Sequence, residues 1–127
     1  MNANVAMRQY QQVGLQAKVS EASPHALIQM LMQGGLDRIS QARGAMEHGM
    51  LAEKGMLLGK CIGIICGLRE ALDFEAGGEL AQNLDRLYDY MIRRLSDANR
   101  HNDVAALEEV SQLLREVKSG WDAIQAA

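Results

Sequence analysis

Residues 55–67, GMLLGKCIGIICG, place four glycines at intervals of four residues in the most apolar part of the chain. A glycine inside a helix costs about 1 kcal/mol relative to alanine, so this glycine ladder needs a compensating close contact. A helix turns by about 100° per residue, which sets a second apolar strip beside the core face. The core face holds Leu57, Cys61, Ile64, Ile65, Leu68 and Leu72, and the second strip holds Leu58, Ile62 and Cys66.

This helix is apolar or free of side chains around most of its circumference, and its main charged positions are Lys60, Arg69 and Glu70. Such a helix is expected to be covered on more than one side. The pattern leaves two explanations open. In the first, the ladder forms a smooth trough for the apolar side chains of a partner. In the second, it packs against another helix of this chain or against a second copy.

Three further helices of similar length are predicted around this one. Ser23-Pro24 supplies an N-cap and a proline at the first helical position, so the first helix should run from Pro24 to about Glu47. The laddered helix should span about 52–74, the third about 78–100, and the fourth should follow Asn102-Asp103. Short connections between four such helices give an antiparallel up-and-down bundle. We therefore predict an all-α protein with a mobile arm or cap helix at residues 1–22 and a four-helix bundle at 23–127.

Each predicted helix carries an apolar stripe at helical spacing, which is expected to face the core. The Gly34-Gly35 pair in the first stripe indicates a bend or a tight crossing, and Asp89 and Arg93 form an i,i+4 pair on the third helix. The stripe of the first helix is Leu27, Ile28, Leu31, Gly35, Ile39, Ala42 and Met46. Those of the third and fourth are Leu80, Leu84, Leu87, Tyr88, Met91, Leu95 and Ala98, and Leu107, Val110, Leu114, Val117, Trp121 and Ile124.

The composition argues against several classes of partner. The net charge is −3 and the basic residues are spread along the chain, which disfavours nucleic acid or anionic lipid as a main partner. No stretch reaches the roughly 18 apolar residues needed for membrane insertion, and no secretion signal is visible. Cys61 and Cys66 lie five apart on a helix and cannot pair, so we expect reduced thiols and a cytoplasmic protein.

Catalytic chemistry is not indicated by any motif in the chain. No nucleophile elbow, phosphate loop or metal-ligand spacing occurs in the sequence, so neither a cofactor nor enzymatic activity is predicted. Cys61 and Cys66 are expected to be inert small hydrophobes. An alternative function remains: a histidine phosphotransfer bundle also has four helices, and His48 is the histidine that comes closest to the exposed position it needs.

Several segments resemble the FliS family of flagellin export chaperones, and they occur in the same order and at the same spacing as in that family. The strongest is LYDYMIRRL at residues 87–95, which is followed by Ala98-Asn99 and Asn102-Asp103. The matches extend over nearly the whole chain, although Met32 stands where many members have an aromatic residue. The other matching segments are ASPH at 22–25, Gly77-Gly78-Glu79, Glu108-Glu109-Val110, Leu113-Leu114 and the late Trp121.

This resemblance implies an elongated helical bundle that binds flagellin in the cytoplasm. Family members hold the disordered C-terminal segment of flagellin, prevent its premature polymerisation and deliver it to the export gate of the flagellar type III apparatus. Their N-terminal segment can occupy part of the client surface, and the matching residues here are Met7 and Tyr10. The alternative is that Tyr10 only pins the arm to the bundle. Homodimerisation of the free chain stays open.

The expected client contacts combine the resemblance with the helical pattern. On the laddered helix, the positions beside the core face are Leu58, Gly59, Ile62, Gly63 and Cys66. Two positions on the third helix, Tyr90 and Arg94, lie one turn apart and off the inward stripe; ordinary exposed surface explains them equally well. We assign Tyr88, Leu95 and Trp121 to the core instead.

Overall fold

The computed structural model describes residues 23–124, and these form four helices joined by short connections. The all-α class is confirmed, with no strand among the described residues. The predicted arm at 1–22, with Met7 and Tyr10, lies outside that range. The helices are α1 (Pro24–Glu47), α2 (Leu51–Glu70), α3 (Phe74–His101) and α4 (Val104–Ala123). Helices α1 and α3 each pack against both α2 and α4, so α2 and α4 lie diagonally across the bundle.

Short polar side chains cap the N-termini of three of the four helices. Ser23 Oγ accepts a hydrogen bond from the Ala26 amide at 3.1 Å, as its position before Pro24 predicts. Asp103 does the same for the Ala106 amide at 3.2 Å. Asp73 accepts from the Ala76 amide at 3.0 Å and caps a turn that begins at Phe74. Gly78, at φ 50° and ψ −125°, breaks the helix after this turn, so the continuous part of α3 begins near Gly78, as the sequence predicts. Helix α2 ends at Glu70, four residues earlier than expected.

The core is built largely from the predicted stripes. Gly35 lies where α1, α2 and α4 meet, because a Cβ there would be 3.0 Å from Leu114 Cδ2 and 3.7 Å from Ile64 Cγ2. The Gly34-Gly35 pair therefore marks a tight crossing. The largest fully buried side chains are Leu27, Ile28, Leu31, Met32, Leu58, Ile64, Ile65, Leu68, Tyr88, Met91, Leu95 and Leu107.

Two residues of the predicted stripes are exposed. The buried side of α3 passes through Ala81, so Leu80 projects from its edge and is 65% exposed. Ile124 follows the end of α4, where the backbone is already extended at φ −80° and ψ 128°, and it is 53% exposed. Trp121 is only half-buried rather than fully in the core, and its indole N–H donates to the carbonyl of His25 at 3.0 Å.

Candidate functional site

The side of α2 that faces away from the core is apolar and includes two glycines. We call it the α2 outer face and define it by Met56, Gly59, Ile62, Gly63 and Cys66. Met56 is 53% exposed and Gly59 is exposed, while the other three are half-buried. A Cβ placed on Gly59 would meet no atom within 4 Å. Between Lys54 and Arg69 the sequence has one charged residue, Lys60, so little charge interrupts the face.

Leu58 does not belong to this face, and the expectation that it lies off the core is wrong. It is 1% exposed and forms part of the hydrophobic core. Lys54, one turn earlier on the same side of α2, donates to Asn99 of α3, which shows that this side turns toward α3. Positions four apart are displaced by about 40° around a helix, so Ile62 and Cys66 turn progressively outward from the same seam.

The glycine ladder does not have one environment along its length. A Cβ on Gly55 would lie 3.9 Å from Asn99 Oδ1 of α3, and Gly67 is buried within the bundle. Gly59, by contrast, is open to solvent. The two ends of the ladder therefore pack against the chain's own fold, while its middle provides free helical surface.

A cluster of Arg69, Asp85, Asp89 and Arg93 borders the α2 outer face on the side of α3. Arg69 Nε donates to Asp85 Oδ1 at 2.7 Å and Arg69 Nη1 to Asp89 Oδ1 at 3.3 Å. The hydrogen bond to Asp85 is the main cause of the raised pKa of Arg69. Arg93 Nε lies 3.2 Å from Asp89 Oδ2, so the predicted i,i+4 pair is confirmed. The two ion pairs of Arg69 tie α2 to α3 beside the apolar face.

Tyr90 and Arg94 form a polar cluster with Glu109 at the seam between α3 and α4. The Tyr90 hydroxyl donates to Glu109 Oε2 at 2.8 Å, and Arg94 Nε donates to Glu109 Oε1 at 2.7 Å. The hydrogen bond from Arg94, followed by that from Tyr90, lowers the pKa of Glu109, and the bond to Glu109 raises the pKa of Tyr90. The cluster lies between α3 and α4, and α4 is diagonal to α2. The cluster and the α2 outer face therefore lie on different sides of the bundle.

The cysteines and His48 offer little reactive chemistry. Burial raises the pKa of the Cys61 thiol to about 12, and its Sγ lies 3.5 Å from the carbonyl oxygen of Gly35. Cys66 is free and half-buried, and desolvation raises its pKa as well. A thiol with a raised pKa is a poor nucleophile. His48 caps the end of α1, with Nδ1 2.8 Å from the Gly44 carbonyl oxygen, rather than standing in mid-helix.

Two kinds of feature are absent from residues 23–124. No group of His, Cys, Asp or Glu side chains in this range is arranged to hold a metal ion. No helix in the same range combines the length and hydrophobicity that a bilayer crossing requires.

The sequence pattern missed three exposed apolar residues near the α1–α2 turn. Met50, Leu51 and Met56 are each more than half exposed, and Met56 belongs to the α2 outer face. The helical wheel contains the signal for Met56, because this position points away from the core face. Met50 precedes α2 and has no helical register that would have predicted its exposure.

Comparisons with known proteins agree over almost the whole chain. The family model described as Flagellar protein FliS matches residues 6–127. The flagellar secretion chaperone FliSB of Pseudomonas aeruginosa is 68% identical over 124 residues, which cover 98% of each chain. The flagellar secretion chaperone FliS of Salmonella typhimurium is 47% identical over 93% of this chain and 88% of its own. The flagellar secretion chaperone FliS of Vibrio cholerae is 43% identical over 94% and 88%, respectively.

Proposed function

The chain belongs to the FliS family of flagellar secretion chaperones, and we propose that it binds the disordered C-terminal segment of flagellin in the cytoplasm. The bound segment is kept from polymerising prematurely and is delivered to the export gate of the flagellar type III apparatus. The function is that of a chaperone, which is not a class of enzyme. The observation that carries the proposal is the α2 outer face, which is apolar and open at Gly59.

The physical need for such a face follows from the client. A segment that becomes buried inside a filament carries an amphipathic stripe, and an exposed stripe of this kind associates with others. The α2 outer face covers it, because the absence of a side chain at Gly59 lets another helix approach the backbone closely. The exposed Met56 adds an adaptable apolar contact.

Release at the export apparatus is compatible with an extensive complex. A disordered segment loses conformational entropy when it folds on binding, and this cost opposes the gain from the buried area. The complex can therefore be large and specific without being too tight to dissociate. A client that wraps around the bundle would reach Tyr90 and Arg94 as well, so we keep both as proposed contacts. Substituting either by alanine should weaken binding of the flagellin segment.

Residues 1–22 are proposed to shield part of the client surface in the free chaperone through Met7 and Tyr10. A tethered segment has an effective concentration near the millimolar range, so it competes weakly and a client displaces it. The double variant Met7→Ser and Tyr10→Ser should then bind the flagellin segment several-fold more tightly than the wild type. Unchanged affinity with lower stability would mean that Tyr10 only pins the arm to the bundle.

The proposal is tested by pull-down of flagellin with and without its last forty or so residues, a length chosen as the span needed to wrap a bundle of this size. We expect this protein to retain intact flagellin and not the shortened form. Equal retention of both forms would contradict the proposal. Sedimentation of the free chain decides whether it forms a homodimer. No observation favours the phosphotransfer alternative, because His48 caps a helix end.

A further inference from the structure

The seam between α1 and α4 contains a cavity of about 360 Å³ with an apolar floor and polar walls. Ile39 and Leu107 form the floor, and both are buried in the core. Helix α4 is diagonal to α2, so the cavity lies apart from the α2 outer face. The polar side chains that line it are Ser40, Arg43, Glu108, Ser111, Gln112 and Arg115.

Two guanidinium groups are directed at the same stretch of this seam. Arg115 Nη2 donates to Ser111 Oγ at 2.9 Å, which turns the Arg115 side chain back by one turn along α4. Arg43 reaches across from α1, with Nη1 2.8 Å from Glu108 Oε1, and Glu108 lies about one turn before Ser111. Each guanidinium is therefore already held in place, which lowers the ordering cost of binding a ligand.

The two guanidinium groups differ in their ion pairs. Arg43 pairs with Glu108 and, through Nε at 3.0 Å, with Glu47 at the end of α1. Arg115 forms no ion pair within residues 23–124, and its side-chain partner there is the neutral Ser111. Arg115 therefore leaves positive charge at the cavity, although the whole chain carries a net charge of −3.

A neighbouring recess in the same seam has balanced charge. It encloses about 550 Å³ and adjoins the cavity at Arg115. Its charged side chains are two cations and two carboxylates, Arg115, Lys118, Asp37 and Asp122. The cavity itself is lined by two guanidinium groups and the single carboxylate of Glu108. An anionic ligand is therefore expected in the cavity and not in the recess.

Hydroxyl groups complete a set of donors on both helices. Ser40 projects from α1 and Ser111 from α4, and both line the cavity. Guanidinium and hydroxyl groups donate strong hydrogen bonds to oxyanions, and a phosphate group has enough acceptor oxygens to bond groups on two helices at once. We propose that this cavity binds a phosphate group, held by Arg115, Ser40, Ser111 and the Nη2 of Arg43. Such a site is independent of the proposed function, because it takes a different ligand on a different side of the bundle.

The phosphate group can come from two sources, free inorganic phosphate and a phosphomonoester. Only a phosphomonoester has an organic group that can cover the apolar floor of Ile39 and Leu107. A phosphate group from either source connects α1 to α4, so its binding stabilises the folded bundle by mass action.

The test is an NMR titration of the isotope-labelled chain with sodium phosphate at neutral pH and constant ionic strength. The backbone amide signals of Ser40, Ser111 and Arg115 should shift and saturate. Arg115→Gln should raise the half-saturating phosphate concentration about fivefold, near the upper end for one exposed ion pair. The control Arg93→Gln removes a guanidinium that is 68% exposed on α3 and pairs with Asp89, and it should leave that concentration unchanged.

A second variant and a second anion make the test specific. Ser40→Ala removes one donor and no charge, and should weaken phosphate binding about twofold. Sodium acetate at the same ionic strength should cause much smaller shifts, because a carboxylate has fewer acceptor oxygens. Melting temperature alone does not decide between outcomes, because phosphate salts stabilise proteins in general.

Phenyl phosphate distinguishes the two sources. Tighter binding than that of inorganic phosphate would assign the cavity to phosphomonoesters, and equal or weaker binding would assign it to free phosphate; either result supports the site. Shifts that grow without saturation, that are as large with acetate, or that persist unchanged in Arg115→Gln would overturn it.

Discussion

Lys54 is the one charged side chain that the bundle buries among residues 23–124, at 5% exposure. Its ammonium group donates to the Asn99 carbonyl at 2.8 Å and to Asn102 Oδ1 at 2.6 Å. These acceptors lie at the end of α3, where Asn102 adopts the left-handed conformation with φ 51°. A positive charge is favourable at this position, because the carbonyl groups at the C-terminal end of a helix have no partners in the helix and carry partial negative charge. Lys54 thus ties α2 to the α3–α4 turn.

Replacing Lys54 by methionine keeps the apolar stem and removes the donor. We expect a loss of about 1–2 kcal/mol in the free energy of unfolding, since the oxygens of Asn99 and Asn102 lose a charged partner. Urea unfolding measures this change, and the m-value should stay constant. Lys60→Met, at a half-buried lysine on the same helix, is the control and should cost less than about 0.5 kcal/mol. Equal effects of the two variants would refute a special role for Lys54.

The Glu109 cluster gives a second prediction at the scale of single residues, through its pH dependence. Folding lowers the pKa of Glu109 below its ordinary value of 4.5. The interaction therefore stabilises the fold fully above that value and is lost as the pH falls through the lower pKa of the folded state. Tyr90→Phe removes one hydrogen bond to the carboxylate and should raise the pKa of Glu109 in an NMR titration. Arg93→Gln is the control, because the Arg93 guanidinium pairs with Asp89 and not with Glu109. It should leave the pKa of Glu109 unchanged.

At the scale of the element, α2 shows what glycines do at different points of a bundle. Gly59→Ala adds a methyl group to open space and should stabilise the protein by about 0.5–1 kcal/mol, because alanine has the higher helix propensity. Gly35→Ala on α1 places its Cβ 3.0 Å from Leu114 Cδ2, so overpacking should outweigh propensity and destabilise by about 1 kcal/mol. Urea unfolding of both variants compares them directly. Stabilisation by Gly35→Ala would show that the crossing is looser than described.

The sequence predicted the helices better than it predicted which helices pack against each other. Four helices and most inward stripes follow from apolar spacing, because each stripe must be buried somewhere. The wheel places Leu58 beside the core face, and its burial depends on where α3 lies. The burial of Lys54 likewise depends on the end of α3, which is distant in sequence. Leu80 is exposed and not buried as predicted, because the buried side of α3 passes through the next residue, Ala81.

The candidate site was predictable only in part for the same reason. Gly59, Ile62, Gly63 and Cys66 were identified from their angle to the core face, and the structure leaves them exposed or half-buried. The partner of Tyr90 and Arg94 was not predictable, since Glu109 lies on another helix and only the packing of α3 against α4 brings it near. The family resemblance supplied the client, which no residue pattern in this chain specifies.

At the scale of the whole molecule, the bundle packs α2 between α1 and α3 and leaves its outer face apolar and partly exposed. Ion pairs from Arg69 and the hydrogen bonds of Lys54 hold α2 against α3 on one side of that face. The bundle can therefore present the face without opening its core. The proposed function requires that the free bundle already presents the apolar face to which the flagellin segment binds.

The most direct measurement is the affinity of the flagellin C-terminal peptide for Gly59→Leu and Gly120→Leu, by isothermal titration calorimetry. Both glycines are exposed on helices, and an added Cβ meets nothing within 4 Å at either, so both variants should keep the wild-type circular dichroism and gain slightly in stability. We predict that Gly59→Leu abolishes binding, because its side chain fills the surface where the client helix approaches, while Gly120→Leu binds as the wild type does. Undiminished binding by a folded Gly59→Leu variant would show that the client does not approach α2 at Gly59.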